Sequence, residues 1–206
     1  MNTANAQQMI FDLNLLMQSG DNKRDKNNMN ENELIYPISI NYGKKDWNIV
    51  AAIREFLSNM LDTKAKYSYS HDGKMAYITD TGKGLSKKDF IFGESTRDDS
   101  QIGQFGEGMK MSLIQLLREN RKVSIHTVGF SVEVRKIYSK VYDSEVMSLS
   151  FKENTRKIGT EIVVECTEKE LQEAADLFLQ LNDKVKRIDD NIYLPSGSIF
   201  ILGLDT

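Results

Sequence analysis

Apolar residues recur at two different spacings along the chain. Helical spacing, with apolar residues at every third or fourth position, occurs at residues 5–19, 47–62, 109–117 and 168–181. Alternation of apolar and polar residues, typical of strands, occurs at residues 34–40, 67–70, 75–80, 123–127, 130–138, 146–151 and 160–166, and residues 192–204 return to strand-like composition. Helices interleaved with hairpin-linked strands predict an α+β fold, a two-layer α/β sandwich with a mostly antiparallel mixed sheet covered on one face by helices.

The first 33 residues are different in character from the rest. Met9, Leu13 and Leu16 lie on one side of a predicted helix that ends at Gly20, whereas residues 21–33 contain one apolar residue in thirteen. Such a polar segment cannot bury enough apolar surface to fold alone. The sequence therefore predicts an N-terminal helical arm and polar linker over residues 1–33, followed by the main domain over residues 34–206.

Composition excludes several classes of function. Lys and Arg total 27 against 30 for Asp and Glu, a formal charge of −3 that does not indicate a nucleic-acid partner. One cysteine excludes an internal disulfide framework and a cysteine zinc cluster. The chain shows no signal-peptide pattern and no apolar run of membrane-spanning length, so we expect a cytoplasmic protein without a membrane partner.

Three polar residues share one stripe of the predicted helix at residues 47–62. Glu55, Asn59 and Asp62 are spaced at intervals of four and three, which places them on one face. Such a stripe is common on the solvated side of an amphipathic helix. The alternative is a carboxylate base beside an amide metal ligand, and the helix by itself does not decide between the two.

Two glycine-containing segments follow. Residues 80–85 (DTGKGL) come directly after a strand, and residues 103–110 (GQFGEGMK) open the next predicted helix. The first is explained equally well by a tight turn. The second exposes unpaired N–H groups at a helix start, which favour phosphate. Neither segment fits the P-loop pattern or the dinucleotide-binding fingerprint, so any nucleotide site is of another type.

Taken in order, these segments resemble the ATP-binding fold shared by DNA gyrase B, the ninety-kilodalton heat-shock chaperone, histidine kinases and MutL, the GHKL superfamily or Bergerat fold. Residues 54–62 (REFLSNMLD) resemble its asparagine box and residues 80–84 its first glycine box. Residues 102–108 (IGQFGEG) are similar to the second glycine box, and Gly159-Thr160 resembles the last box. The resemblance covers about residues 34–182.

The resemblance implies a role for each matching residue. Glu55 would be the general base that activates water, and Asn59 would bind Mg²⁺ through its amide oxygen. Asp80 would accept a hydrogen bond from the adenine amino group of ATP, and Thr160 would support that contact directly or through water. These roles suit ATP hydrolysis, which needs charge neutralisation and a positioned water.

The glycine segments receive their roles from the same resemblance. Gly82 and Gly84 would let the backbone approach the base, with Leu85 packing on the ring. The second loop would wrap the triphosphate behind a lid over residues 86–102, through Gly103, Gln104, Phe105, Gly106 and Gly108.

One expected group is missing from the resemblance. The lysine that reaches the γ-phosphate in gyrase and MutL comes from a following domain, and Lys110 or Arg97 is the candidate substitute here. The alternative interpretation of Lys110 is a solvated helix residue.

Three functions are consistent with these residues. The first is a stand-alone, slow, Mg²⁺-dependent ATPase that uses ATP to control self-association or the binding of a protein partner. The second is an ATP-dependent protein kinase of the anti-sigma or histidine-kinase type, and the third is a non-catalytic, phage-encoded binder of a host protein. For the first, we expect ATP to promote a homodimer through the arm and the lid; the alternative is that the arm packs on its own domain.

Overall fold

The computed structural model describes residues 33–42, 47–91 and 107–182, together with the short strand segments 187–189, 192–193, 200–201 and 204–205. The chain divides into two units, Met1–Glu31 and Asn32–Thr206, and every described residue belongs to the second. The predicted helical arm lies outside the described residues.

Seven strands form one sheet. They are β1 (Glu33–Ser39), β2 (Tyr67–His71), β3 (Met75–Asp80), β4 (Val123–Thr127), β5 (Phe130–Ser139), β6 (Ser144–Glu153) and β7 (Glu161–Glu165). Their order is β1-β6-β5-β4-β7-β3-β2, and all six pairings are antiparallel. The predicted α+β class and the mostly antiparallel character of the sheet are confirmed, and only the expectation that the sheet is mixed is wrong. The reason is that β7 lies between β3 and β4, which run in the same direction, and gives each of them an antiparallel neighbour.

Three α-helices are described: α1 (Ile49–Asp62), α2 (Gly108–Arg118) and α3 (Glu168–Asp176), with a short 3₁₀ helix at Lys87–Phe90. The side chain of Asn48 caps α1 by accepting a hydrogen bond from the backbone N–H of Ala51 at 2.9 Å. The predicted helix over residues 168–181 is too long, because α3 ends at Asp176. There the amide side chain of Asn182 donates to the freed Asp176 carbonyl at 2.7 Å.

The core contains alternate strand residues and one side of each helix. Ile78, Ile162 and Ile125 are in register on β3, β7 and β4, and all three are buried. They share one apolar cluster with buried residues of α1 and α2, including Phe56 and Leu113. Because side chains alternate across a strand, every second residue of these three strands points toward the same cluster.

The C-terminal part of the described chain consists of short strands. β8 (Arg187–Asp189) pairs with β9 (Ile192–Tyr193), and β10 (Phe200–Ile201) pairs with β11 (Leu204–Asp205). None of the described helices combines the length and the apolar composition that crossing a membrane requires.

Candidate functional site

A row of polar side chains replaces the apolar core at one end of the sheet. Asp80 and Thr160 lie two residues beyond Ile78 and Ile162, and the Asp80 N–H donates to the Thr160 carbonyl at 2.9 Å. The Thr127 hydroxyl oxygen is 3.1 Å from that of Thr160. Since each polar residue is two positions along its chain from the neighbouring apolar residue, the side chains of both rows lie on the same face of the sheet. All three residues are buried, so the core ends in an acid and two hydroxyls.

The segment after β3 is tied to this polar row. The Gly82 N–H donates to the Asp80 Oδ1 atom at 2.7 Å, and the Leu85 N–H donates to Thr127 Oγ1 at 2.7 Å. The Gly159 N–H donates to the Gly82 carbonyl at 2.9 Å. Each of these bonds joins a backbone group to the row or to the turn before β7, so the segment has a defined position over the strand ends.

Two glycines are required by this close packing. Gly159 has φ +66°, and a Cβ atom there would lie 1.8 Å from the Asp80 carbonyl oxygen. Gly84 has φ +80°, and its Cβ would lie 2.8 Å from Thr127 Oγ1. Other residues would be strained in that conformation and would also overlap the site. Gly159 and Gly84 therefore let the backbone lie directly against Asp80 and Thr127.

Burial raises the pKa of the Asp80 carboxyl above its ordinary value. Hydrogen bonds from the backbone at Gly82 and Thr160 and the charge of Arg156 oppose the shift without cancelling it. A buried carboxylate of this kind is a strong acceptor for a neutral N–H donor.

Glu55 lies on α1, with its carboxylate against Gly108 at the start of α2, and forms the second part of the candidate site. Its side chain is 16% exposed and accepts a hydrogen bond from Arg54. A Cβ on Gly108 would lie 2.0 Å from Glu55 Oε2, so any other residue there would require the Glu55 carboxylate to move. Asn59 and Asp62 on the same stripe are half-buried. The three residues of the predicted stripe are therefore partly covered by neighbouring groups, and none of them is fully buried.

Lys110 in the first turn of α2 is 1% exposed, so its interpretation as a solvated helix residue is wrong. Fully buried lysines are rare because desolvating the ammonium group is costly.

Next to Asn59 in sequence, the Ser58 hydroxyl is buried and has no hydrogen-bond partner within the described ranges. An orphaned buried hydroxyl is unusual in a protein interior and marks a position where a bound molecule could supply the partner.

A cavity of about 230 Å³ opens beside the segment after β3. It is lined by Lys83, Gly84, Leu85, Ser86 and Asp89, so two of the predicted nucleotide contacts reach its wall. The other predicted contacts at Gly103, Gln104, Phe105 and Gly106, and residues 92–102 of the predicted lid, lie outside the described residues.

Thr127 was not among the predicted site residues. The alternation over β4, with buried Val123, Ile125 and Thr127, is the signal that could have identified it. Thr127 is a polar residue at a core-facing position, two residues after Ile125, at the end of its strand. Asp80 after Ile78 and Thr160 before Ile162 follow the same pattern. The register that brings the three together becomes visible only in the folded sheet.

No family model matches the chain. An uncharacterized protein of Mycoplasma pneumoniae (strain ATCC 29342 / M129 / Subtype 1) is 26% identical over 159 residues, which span 69% of this chain and 64% of that protein. A solved structure described as the N-terminal domain of a DNA repair protein is similar with a TM-score of 0.37 and 18% identity, over 58% of this chain and 36% of that chain. These values are too low to show a family, so the function is inferred from the site.

Proposed function

We propose that this protein is an ATP-binding protein with the two-layer Bergerat fold of the GHKL superfamily, and that it hydrolyses ATP slowly with Mg²⁺. In this proposal, the bound nucleotide controls self-association or the binding of a protein partner. The observation that carries it is the buried polar row of Asp80, Thr160 and Thr127, with glycines packed against it on two sides.

The polar row suits recognition of adenine. Asp80 supplies a buried acceptor for the exocyclic amino group, and a base without a donor at that position would leave the carboxylate unpaired. Sites with a buried, specific hydrogen-bonding group discriminate strongly against analogues that lack the matching group. Leu85, half-buried in the segment that crosses the row, is positioned by its bond to Thr127 to pack against a flat ring.

The α1–α2 side of the site suits phosphates and water activation. Glu55 is the carboxylate that would accept a proton from the attacking water, a contribution of about 10²–10⁴-fold in rate for general bases. Asn59 would hold Mg²⁺ through its amide oxygen, and the ion would neutralise phosphate charge. Among the described residues no group of three or more His, Cys, Asp or Glu could hold a metal ion. One amide suits Mg²⁺, which takes phosphate and water oxygens as its other ligands.

A second candidate function is nucleotide binding without hydrolysis. It is favoured by the ion pair between Arg54 and Glu55, which occupies the Oε1 atom of the carboxylate that a general base must present to water. In that case ATP would act as a ligand that regulates association with a protein partner.

Two measurements separate these functions. Calorimetry with Mg-ATP should show binding that Asp80→Asn weakens by about 1–3 kcal/mol, because the amide side chain mispairs with the adenine amino group. Phosphate release should be lost in Glu55→Gln while binding is kept. Asp143→Asn, in the exposed turn between β5 and β6, is the matched control for Asp80 and should bind like the wild type.

The outcomes are distinct. Equal ATP affinity in the wild type and Asp80→Asn would remove Asp80 from the site. Binding without phosphate release in the wild type would identify the second function.

A further inference from the structure

The Ser58 hydroxyl on α1 is buried without a hydrogen-bond partner in the part of the chain that the structure describes. Ser58 is 3% exposed. By contrast, Ser112, which is fully buried on α2, donates its hydroxyl hydrogen to the Gly108 carbonyl at 2.8 Å. A buried hydroxyl without a partner costs free energy, and an alanine at the same position would avoid that cost. The folded protein without a ligand therefore gains nothing from the Ser58 hydroxyl.

Ser58 lies on the same side of α1 as the predicted polar stripe. Each residue of a helix turns the side chain by about 100°, so Ser58 lies about 60° from Glu55, which comes three residues earlier, and about 40° from Asp62, which comes four residues later. Side chains at these spacings are neighbours on a helix surface. The Glu55 carboxylate lies against Gly108 at the start of α2. The side of α1 that carries Ser58 therefore borders the start of α2.

The start of α2 favours an anion. This helix has 11 residues, and the N–H groups of its first turn have no acceptor within the helix. The side chain of Glu107, the residue before the helix, makes no capping hydrogen bond to them. The positive end of the helix dipole adds to the preference for phosphate. A serine hydroxyl is also a donor that phosphate oxygens accept, so Ser58 and the α2 start offer the same kind of contact.

We infer that the Ser58 hydroxyl binds the phosphate chain of the nucleotide, by donating its hydrogen to a phosphate oxygen held at the start of α2. This inference rests on the proposed function and extends it, because Ser58 is outside the set of residues that the resemblance assigns to the site. The phosphate oxygen supplies the acceptor that the described residues do not offer to Ser58. Hydrogen bonds to charged acceptors are stronger than those between neutral groups. Ser58 thus favours nucleotides, which carry phosphate, over nucleosides, which do not.

The first measurement is urea unfolding without nucleotide, for the wild type, Ser58→Ala and the matched control Ser112→Ala. We expect the urea midpoint of Ser58→Ala to equal or exceed that of the wild type, because the variant loses no hydrogen bond. The midpoint of Ser112→Ala should fall, because a buried bond to the Gly108 carbonyl is lost. A fall in Ser58→Ala as large as that in Ser112→Ala, or a Ser58→Ala protein that does not fold, would show that the hydroxyl serves the unliganded fold and would overturn the inference.

The second measurement is calorimetry of the wild type and Ser58→Ala with Mg-ATP and with adenosine. We expect the Kd for Mg-ATP to rise about 10-fold or more in Ser58→Ala, the value of a hydrogen bond to a charged group. The Kd for adenosine should not change, because adenosine has no phosphate. An unchanged Kd for Mg-ATP, or equal losses of affinity for both ligands, would overturn the inference and leave the proposed function standing. Failure of the wild type to bind Mg-ATP would refute both.

Discussion

The turn before β7 provides the sharpest test of how the site is built. In Gly159→Ala, the new Cβ would lie 1.8 Å from the Asp80 carbonyl oxygen, a distance that no real contact of this kind reaches. The neighbouring atoms are backbone and cannot rotate away, so the end of β3 or the turn must move by more than about 1 Å. That movement strains the 2.9 Å bonds from Asp80 to Thr160 and from Gly159 to Gly82.

The magnitude can be separated into two parts with a matched control. Gly129 has φ +81° with nothing within 4 Å of its Cβ position, so Gly129→Ala experiences the backbone conformation alone. A left-handed alanine costs about 1–2 kcal/mol, partly offset by about 0.4–1 kcal/mol from the stiffer unfolded chain. Gly159→Ala has the same two energy contributions. It also forces atoms to overlap in a packed region, which typically costs about 1–3 kcal/mol more.

The assay is urea unfolding followed by circular dichroism, with the free energy of unfolding taken from the midpoint and slope. We expect Gly159→Ala to lose at least about 1 kcal/mol more than Gly129→Ala. Where Gly159→Ala is still folded, we also expect weaker ATP binding, because Asp80 and Thr160 move together. Equal losses of stability in the two variants would refute the close packing of Gly159 on Asp80.

The remaining predictions address catalysis, pH and assembly. Gly108→Ala should impair phosphate release, because its Cβ would displace the Glu55 carboxylate; an unaltered rate would show that the position of Glu55 is not critical. Backbone N–H groups of Met75 and Lys74 hold the pKa of the Asp72 carboxyl at about 2, below its ordinary 3.8. The ionised carboxylate therefore stabilises the fold above about pH 4, and this contribution disappears as the pH falls toward about 2. Asp72→Ala should flatten that part of the stability curve in urea unfolding, and an unchanged acid dependence would contradict the assignment. Sedimentation of Glu55→Gln should show Mg-ATP shifting the protein toward a dimer, less so for a chain that begins at Glu33; a mass that does not respond to nucleotide would rule out the switch.

Local features of the fold were predictable from sequence because they depend on neighbouring residues. The hairpin of β2 and β3 follows from alternation on either side of His71, Asp72 and Gly73, and its predicted β3 bounds are confirmed. The predicted helix over residues 47–62 starts two residues too early, because Asn48 caps α1 and the helix begins at Ile49. The end of α3 was misjudged, since apolar residues continue at helical spacing to Leu181 although the helix stops at Asp176.

Features that depend on distant residues were not predictable in the same way. The sequence contains no local signal that β7 lies between β3 and β4, so the prediction of a mostly antiparallel sheet still included a mixed element that the structure does not have. The burial of Lys110 depends on what packs around α2 and not on the helix's own pattern. Thr127 was missed for the same reason, because its role comes from the alignment of three strands. The assigned roles of Glu55, Asn59 and Asp80 remain predictions.

The position of β7 also has a consequence for the order in which the protein folds. Residues 75–80 and 123–127 leave the ribosome before residues 161–165, which must later fill the gap between them. Synthesis proceeds from the N-terminus, and contacts between distant residues form slowly because closing long loops costs entropy. In the finished sheet, β7 pairs with the edge of β3 that faces β4. Until β7 is in place, the backbone N–H and C=O groups of that edge have no strand to pair with. Such an edge is a hazard for aggregation during synthesis. β7 directly follows Thr160, so its pairing with β3 ends this exposure and in the same step brings Thr160 next to Asp80.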